Sequence, residues 1–171
     1  MRYPRIILAV DPGTKHLAFC VHDGHVRKSA TFAPVRQVKG ARPELVLADI
    51  RSFCRLFGTL LEQEQPDCVV IERFMYRPGL GLAGEFINIL IGQLLVECDR
   101  RRIETLLVMP AQHKTWLQRT TGFEVQDYPG FDLPTLTSEH EKDAASLALF
   151  VRREWYQRAA ELRAQATARA A

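Results

Sequence analysis

Apolar residues recur along the chain at two spacings, and each change of spacing marks a new element. Arg5–Val10 (RIILAV) is a short β-branched run, the pattern of a strand covered on both faces. Asp11-Pro12-Gly13-Thr14 interrupts it with turn residues. A second strand is predicted over about His16–His22, and Asp23-Gly24 is a strong hairpin signal. His25–Phe32 then forms the third strand, so the chain opens with three antiparallel strands.

The spacing next turns helical. After a loop over Ala33–Arg42 that carries Arg36, Lys39 and Arg42, Pro43 suits a first helical position. Leu45, Ile50, Phe53, Leu56, Leu60 and Leu61 give that helix an apolar face through about Gln65. Pro66-Asp67 ends it. Cys68–Ile71 is another buried strand with Glu72 at its C-terminal end, and Arg73–Gly81 is a Gly- and Pro-containing loop. A long helix, apolar on most faces, is predicted from Leu82 to Arg102. Its Phe86/Ile89/Leu90 stripe reads as plain core. Ile103–Met109 is the fifth strand, and Ala111–Arg119 a short helix after Pro110. The segment Thr120–Thr137 is a Gly/Pro/Thr-rich loop. Ser138 with Glu141 three residues later is a capping-box signature for a last helix from about Glu139 to at least Gln157. Residues 1–157 therefore read as one α/β domain. Its five-stranded mixed sheet, three antiparallel strands then two parallel ones, is flanked by helices in the ribonuclease-H-like element order. The Ala/Arg-rich tail, 158–171, is expected to fray.

Composition narrows this little. The 171 residues are 47% hydrophobic and 25% charged, an ordinary globular balance. The net charge of +3 and pI of about 8.8 permit a polyanionic partner without demanding one. Glu85, Asn88 and Gln93 interrupt the longest apolar stretch, so no membrane span is expected. Residues 1–5 (MRYPR) lead straight into a strand-like run with no signal-peptide core, which points to the cytosol. Cys20, Cys54, Cys68 and Cys98 are widely spaced and read as small core residues, not zinc ligands or a disulfide framework.

The chemistry lies in the acids. Asp11 stands at the mouth of an apolar strand, where an unpaired charge is costly unless it binds a cation. Taken alone, it is better explained as a turn cap. Glu72 repeats the pattern; taken alone, it is as well explained by pairing with Arg73 or Arg77. Two acids at matching strand ends shift the balance, because ligands of open α/β sheets collect there. His140 and Asp143, three apart on the last helix, share a face with Ala144, Leu147, Ala148, Val151 and Trp155. Asp143 would thus point inward, or else serve the helix dipole from the first turn. His140 is a ligand or a partly buried, hydrogen-bonded histidine. Glu139 and Glu141 fall off that face and are expected to be solvated. A site of three carboxylates and an imidazole is hard and oxygen-rich, suited to Mg2+ or Mn2+. Two such ions about 3.5–4 Å apart activate a water and stabilise a leaving oxygen in phosphodiester cleavage.

The motifs ILAVDPGTKHLAF, VVIERFM, MPAQHKTWLQRTTG and HEKDA, in this order and spacing, resemble the RuvC family of Holliday-junction resolvases over about Arg5–Val151. The resemblance implies four metal ligands, which fall on Asp11, Glu72, His140 and Asp143. The histidine, an aspartate in some relatives, would ligate a metal or activate the attacking water. It implies a lysine near the scissile phosphate at Lys114, and an aromatic wedge after Glu72. Here Phe74 lies one residue closer to the glutamate than in relatives, with Met75 and Tyr76 following. Lys15, Arg73, Phe74, Tyr76, Arg77, Lys114, Lys142 and the Arg36/Lys39/Arg42 loop become candidate DNA contacts, each cation alone being as well explained as an ordinary solvated one. The family acts as homodimers that nick two opposed strands of a four-way junction. The nearly all-apolar helix Leu82–Val96 suits a partly buried interface for this, packing within the monomer explaining it equally well.

The leading expectation is thus a structure-selective endodeoxyribonuclease for branched DNA, its compact, divergent sequence fitting an origin in a phage or other mobile element. Processing of structured RNA is the second reading, and branch binding without useful catalysis the third. An actin-like ATPase is a distant fourth, since the chain is too short for two such lobes.

Overall fold

The computed structural model describes residues 5–13, 16–33, 43–74 and 81–170. The elements are β1 (Ile7–Pro12), β2 (Leu17–His22), β3 (Val26–Phe32), α1 (Pro43–Glu64), β4 (Cys68–Glu72), α2 (Gly81–Arg100), β5 (Glu104–Val108), α3 (Pro110–Thr121) and α4 (Glu139–Ala170). They form one five-stranded sheet in the order β3-β2-β1-β4-β5. β1 runs antiparallel to β2, as does β2 to β3, whereas β1, β4 and β5 are parallel. The expected fold class is therefore present, with element ends moved by a residue or two. Two of these shifts have local causes. Arg102 takes φ 55°, so α2 stops before Arg101-Arg102. Gly122, at φ 81°, closes α3 by donating its N–H to the Gln118 carbonyl. α4 is a single helix to Ala170.

Strand parity distributes the core. Leu8 and Val10 of β1, and Val69 and Ile71 of β4, face one side of the sheet. There they meet Ile50, Phe53, Phe57, Leu60 and Leu61 of α1, and Ile87, Leu90, Ile91 and Leu94 of α2. Ile7 and Ala9, with Cys20 and Val70, face the other side, against Leu117 of α3 and Ala144, Leu147 and Ala148 of α4. The loop between α3 and α4 is no loose excursion: Val125, Phe131 and Leu136 are buried in this second core. β1 is paired on both edges and covered on both faces, with all its residues but Asp11 buried. The cysteines are free, and burial pushes the Cys20 and Cys68 thiols up to about 12, as befits inert core residues.

One core assignment is corrected. Ile89 is 42% exposed, and Val96, two turns further along α2, is exposed too. α2 docks through the Ile87/Leu90/Ile91/Leu94 stripe, which turns Ile89 and Val96 outward. Among the described residues no helix is long and apolar enough to cross a membrane.

Candidate active site

The same parity positions the two strand acids. Asp11 follows Ile7 and Ala9 at two-residue steps, and Glu72 follows Cys68 and Val70, so both side chains belong to the α3/α4 side of the sheet. β1 and β4 are parallel with Val10 opposite Ile71, and each acid is the next residue on its strand. They stand side by side where the sheet edge ends.

α4 brings the other members over that edge. Ala144, Leu147, Ala148 and Val151 seat the helix, which places His140 and Asp143 in its first turns above the acids. His140 Nδ1 lies 2.9 Å from Asp11 Oδ2. Because an ionised carboxylate only accepts, this contact puts a proton on Nδ1. The ring of His16 stacks on His140, with centroids 5.1 Å apart. α3 supplies two neighbouring residues. The Lys114 ammonium donates to Asp143 Oδ2 at 2.7 Å, and His113, wholly buried, lies 3.0 Å from Glu72 Oε2. Gln126 Nε2 donates to the second Asp143 oxygen at 3.3 Å. Asp11, Glu72, Asp143, His140 and Lys114, picked out in sequence from four distant motifs, are thus brought together.

Glu141 requires a correction: it is buried, not solvated. α4 enters between the sheet and the α3–α4 loop, and residues 144–148 are buried consecutively, so leaving the His140/Asp143 face does not mean reaching water. Thr31 Oγ1 donates to Glu141 Oε1 at 2.9 Å, and the backbone N–H of Thr137 to Oε2 at 2.9 Å. Ser29 Oγ lies 3.2 Å from Oε2 and also meets the Thr135 carbonyl. The capping signature is therefore half realised. Ser138 Oγ accepts the Glu141 N–H at 3.2 Å, while the Glu141 carboxylate turns to β3 and to Thr137.

Electrostatics mark Asp11. Burial is the largest cause raising its pKa, to about 6, followed by repulsion from Glu72; Asp143 adds to this, while the His140 hydrogen bond opposes it. Lys114 is held above its ordinary pKa by Asp143, Glu72 and Asp11, although burial pulls the other way. The cluster is short of positive charge.

The chemistry of this donor set fits a hard divalent cation: three carboxylates from separate elements and one imidazole, the acids mutually repelling. Among the described residues no three His, Cys, Asp or Glu side chains are drawn in close enough to hold an ion as they stand. Protein groups engage one oxygen each of Asp11 and Glu72 and both of Asp143, Lys114 on Asp143 most prominently.

Of the candidate DNA contacts, Arg73 is exposed beside Glu72, and Phe74 packs its ring partly against the α1/α2 core. Lys142 donates to the Gln126 carbonyl at 2.8 Å, which ties α4 to the preceding loop. Lys15, Arg36, Lys39, Arg42, Met75, Tyr76 and Arg77 lie outside the described residues, as does the Trp155 side chain. Sequence reasoning missed His113, Ser146, Gln126 and His16. For His113 a signal existed: it shares the buried face of α3 with Leu117, four residues on.

No family model and no curated protein matches the sequence. Solved structures do match the fold. RuvC of T. thermophilus in complex with a Holliday-junction substrate aligns with TM-score 0.65 at 16% identity, over 85% of this chain and 90% of that one. The yeast mitochondrial Holliday junction resolvase Ydc2 aligns with TM-score 0.60 at 15% identity, over 88% and 80%. A fowlpox virus resolvase bound to Holliday-junction DNA aligns with TM-score 0.50 at 12% identity, over 86% and 99%. The fold is RuvC-like.

Proposed function

We propose that this RuvC-like chain is a metal-dependent endonuclease that cuts branched DNA, four-way junctions above all. The observation that carries the reading is the meeting of Asp11, Glu72, Asp143 and His140 at one sheet edge, with Lys114 against them. Nothing in the packing of an α/β core calls for three repelling carboxylates at a strand mouth. Three solved structures of like fold, each of a Holliday-junction-resolving protein, support this substrate class.

Asp11, Glu72, Asp143 and His140 Nε2 would hold Mg2+ or Mn2+, two ions by the logic of such sites, and the metal would supply water activation and charge stabilisation at the phosphate. Asp11 holds the His140 ring through Nδ1, and the other ring nitrogen would serve as a ligand or proton acceptor. Lys114 brings a charge that can move from Asp143 to a phosphate oxygen, and Arg73 adds affinity outside the centre. Lys114→Met is expected to lower single-turnover cleavage by about 10²-fold. Junction affinity should stay within about threefold, since one phosphate contact among many is lost. A parallel loss of binding and cleavage would assign Lys114 to docking alone.

Paired nicking requires a second copy, and the outward Ile89/Val96 stripe of α2 is the surface we assign to a homodimer. The test of function compares Mg2+-dependent cleavage of a DNA four-way junction, its RNA counterpart and linear duplex DNA. Paired nicks in the DNA junction are expected. Faster RNA cleavage would favour the RNA-processing reading, and tight binding without nicks would favour a branch-binding protein.

A further inference from the structure

His113 is a wholly enclosed polar side chain beside the site, and nothing in the proposed chemistry uses it. It sits on the inner face of α3 with both ring nitrogens engaged: Nε2 is 3.0 Å from Glu72 Oε2, and Nδ1 is 3.0 Å from Ser146 Oγ. Neither His113 nor Ser146 exposes any surface. The chain Glu72–His113–Ser146 therefore joins the end of β4 to α4 through α3, directly beneath the acids. An apolar residue would fill that position on α3 as well, and a buried imidazole without both partners would be costly.

We infer that His113 is a positioning residue that orients the Glu72 carboxylate. Glu72 only accepts, so Nε2 carries the hydrogen; the Ser146 hydroxyl then donates to Nδ1 and holds the ring in that tautomer. One Glu72 oxygen is fixed by this bond. Among the described residues Oε1 receives no hydrogen bond, and it is the oxygen left to a cation. Ser146 lies one turn beyond Asp143 on α4, so the same link sets the spacing of the Glu72 and Asp143 carboxylates. This role rests on Glu72 being a metal ligand.

The test has two readouts that do not depend on nuclease activity. In metal-free full-length protein labelled with 15N-histidine, long-range 1H–15N spectra should show His113 as the Nε2–H tautomer. Ser146→Ala should convert it to a mixture. Mn2+ titration followed by electron paramagnetic resonance should give an affinity weaker by about 10- to 100-fold in His113→Leu, with near-native affinity restored in His113→Gln, which keeps an N–H donor. Metal-free junction binding should be unchanged in both. Should His113→Leu fail to fold, Ser146→Ala carries the test, with an expected loss of Mn2+ affinity of about threefold or more. Wild-type Mn2+ binding that His113→Leu or Ser146→Ala leaves unaltered overturns the positioning role alone. Absence of Mn2+ binding in the wild type overturns the metal reading and this role with it.

Discussion

Asp11→Asn is expected to abolish junction cleavage and, in the same protein, to stabilise the metal-free fold. The loss should reach about 10³-fold, because the carboxylate contributes to a centre worth several kcal/mol in the transition state. The gain follows from proton linkage. Burial and then Glu72 hold Asp11 near pKa 6 in the fold, above its ordinary 3.8. The folded protein therefore binds more protons than the unfolded chain between these values, and stability falls as pH rises through that window. Asparagine cannot ionise, so the variant escapes the penalty that the wild type carries at pH 7. A tenfold change in proton affinity is worth about 1.4 kcal/mol, so the variant should be more stable at pH 7 by about 1–3 kcal/mol in a chelator. Below pH 4 the two proteins should converge. Denaturant midpoints at pH 7 and pH 4, alongside junction cleavage, check both halves. A variant that is less stable at pH 7 and still cleaves would remove Asp11 from the site.

Glu141→Ala should show the opposite pattern: a damaged fold and, through it, a damaged site. Its buried carboxylate collects Thr31, the Thr137 N–H and Ser29; truncation would strip the Thr137 N–H of its acceptor and leave Thr31 and Ser29 only their contacts with Ser138 and the Thr135 carbonyl. The expected cost is about 1–3 kcal/mol. Because these contacts tie the first turn of α4 to β3, the positions of His140 and Asp143 relax with them. Glu141→Gln keeps one acceptor but turns an amide toward a donor, so about half that cost is expected. Thermal unfolding of the three proteins at one pH is the check. A Glu141→Ala midpoint equal to wild type would mean that this buried network contributes nothing net.

The residues legible in sequence are those whose surroundings are local. Asp11 and Glu72 each end an apolar strand, and a strand's period of two also says which face they take. His140 and Asp143 lie on a helix whose apolar series points the same way as they do. Glu141 escapes such a reading because its partners are remote: Thr31 is 110 residues away in sequence, and the helix start is enclosed on more than one side. The capping signature with Ser138 supplies a sufficient local explanation and conceals the other one. His113 is hidden similarly, its two partners being 41 and 33 residues distant. Ile89 reads as core because a nearly all-apolar helix shows no periodic face, and only packing against α1 and the sheet selects the buried stripe.

The central claim is that the acids at the sheet edge are a metal centre. It is tested most directly by anomalous diffraction from crystals of the protein equilibrated with Mn2+. Peaks bonded to Asp11, Glu72 and Asp143, with Lys114 withdrawn from Asp143, are the predicted result. Saturating Mn2+ with no peak at Asp11, and Lys114 still paired to Asp143, would contradict it.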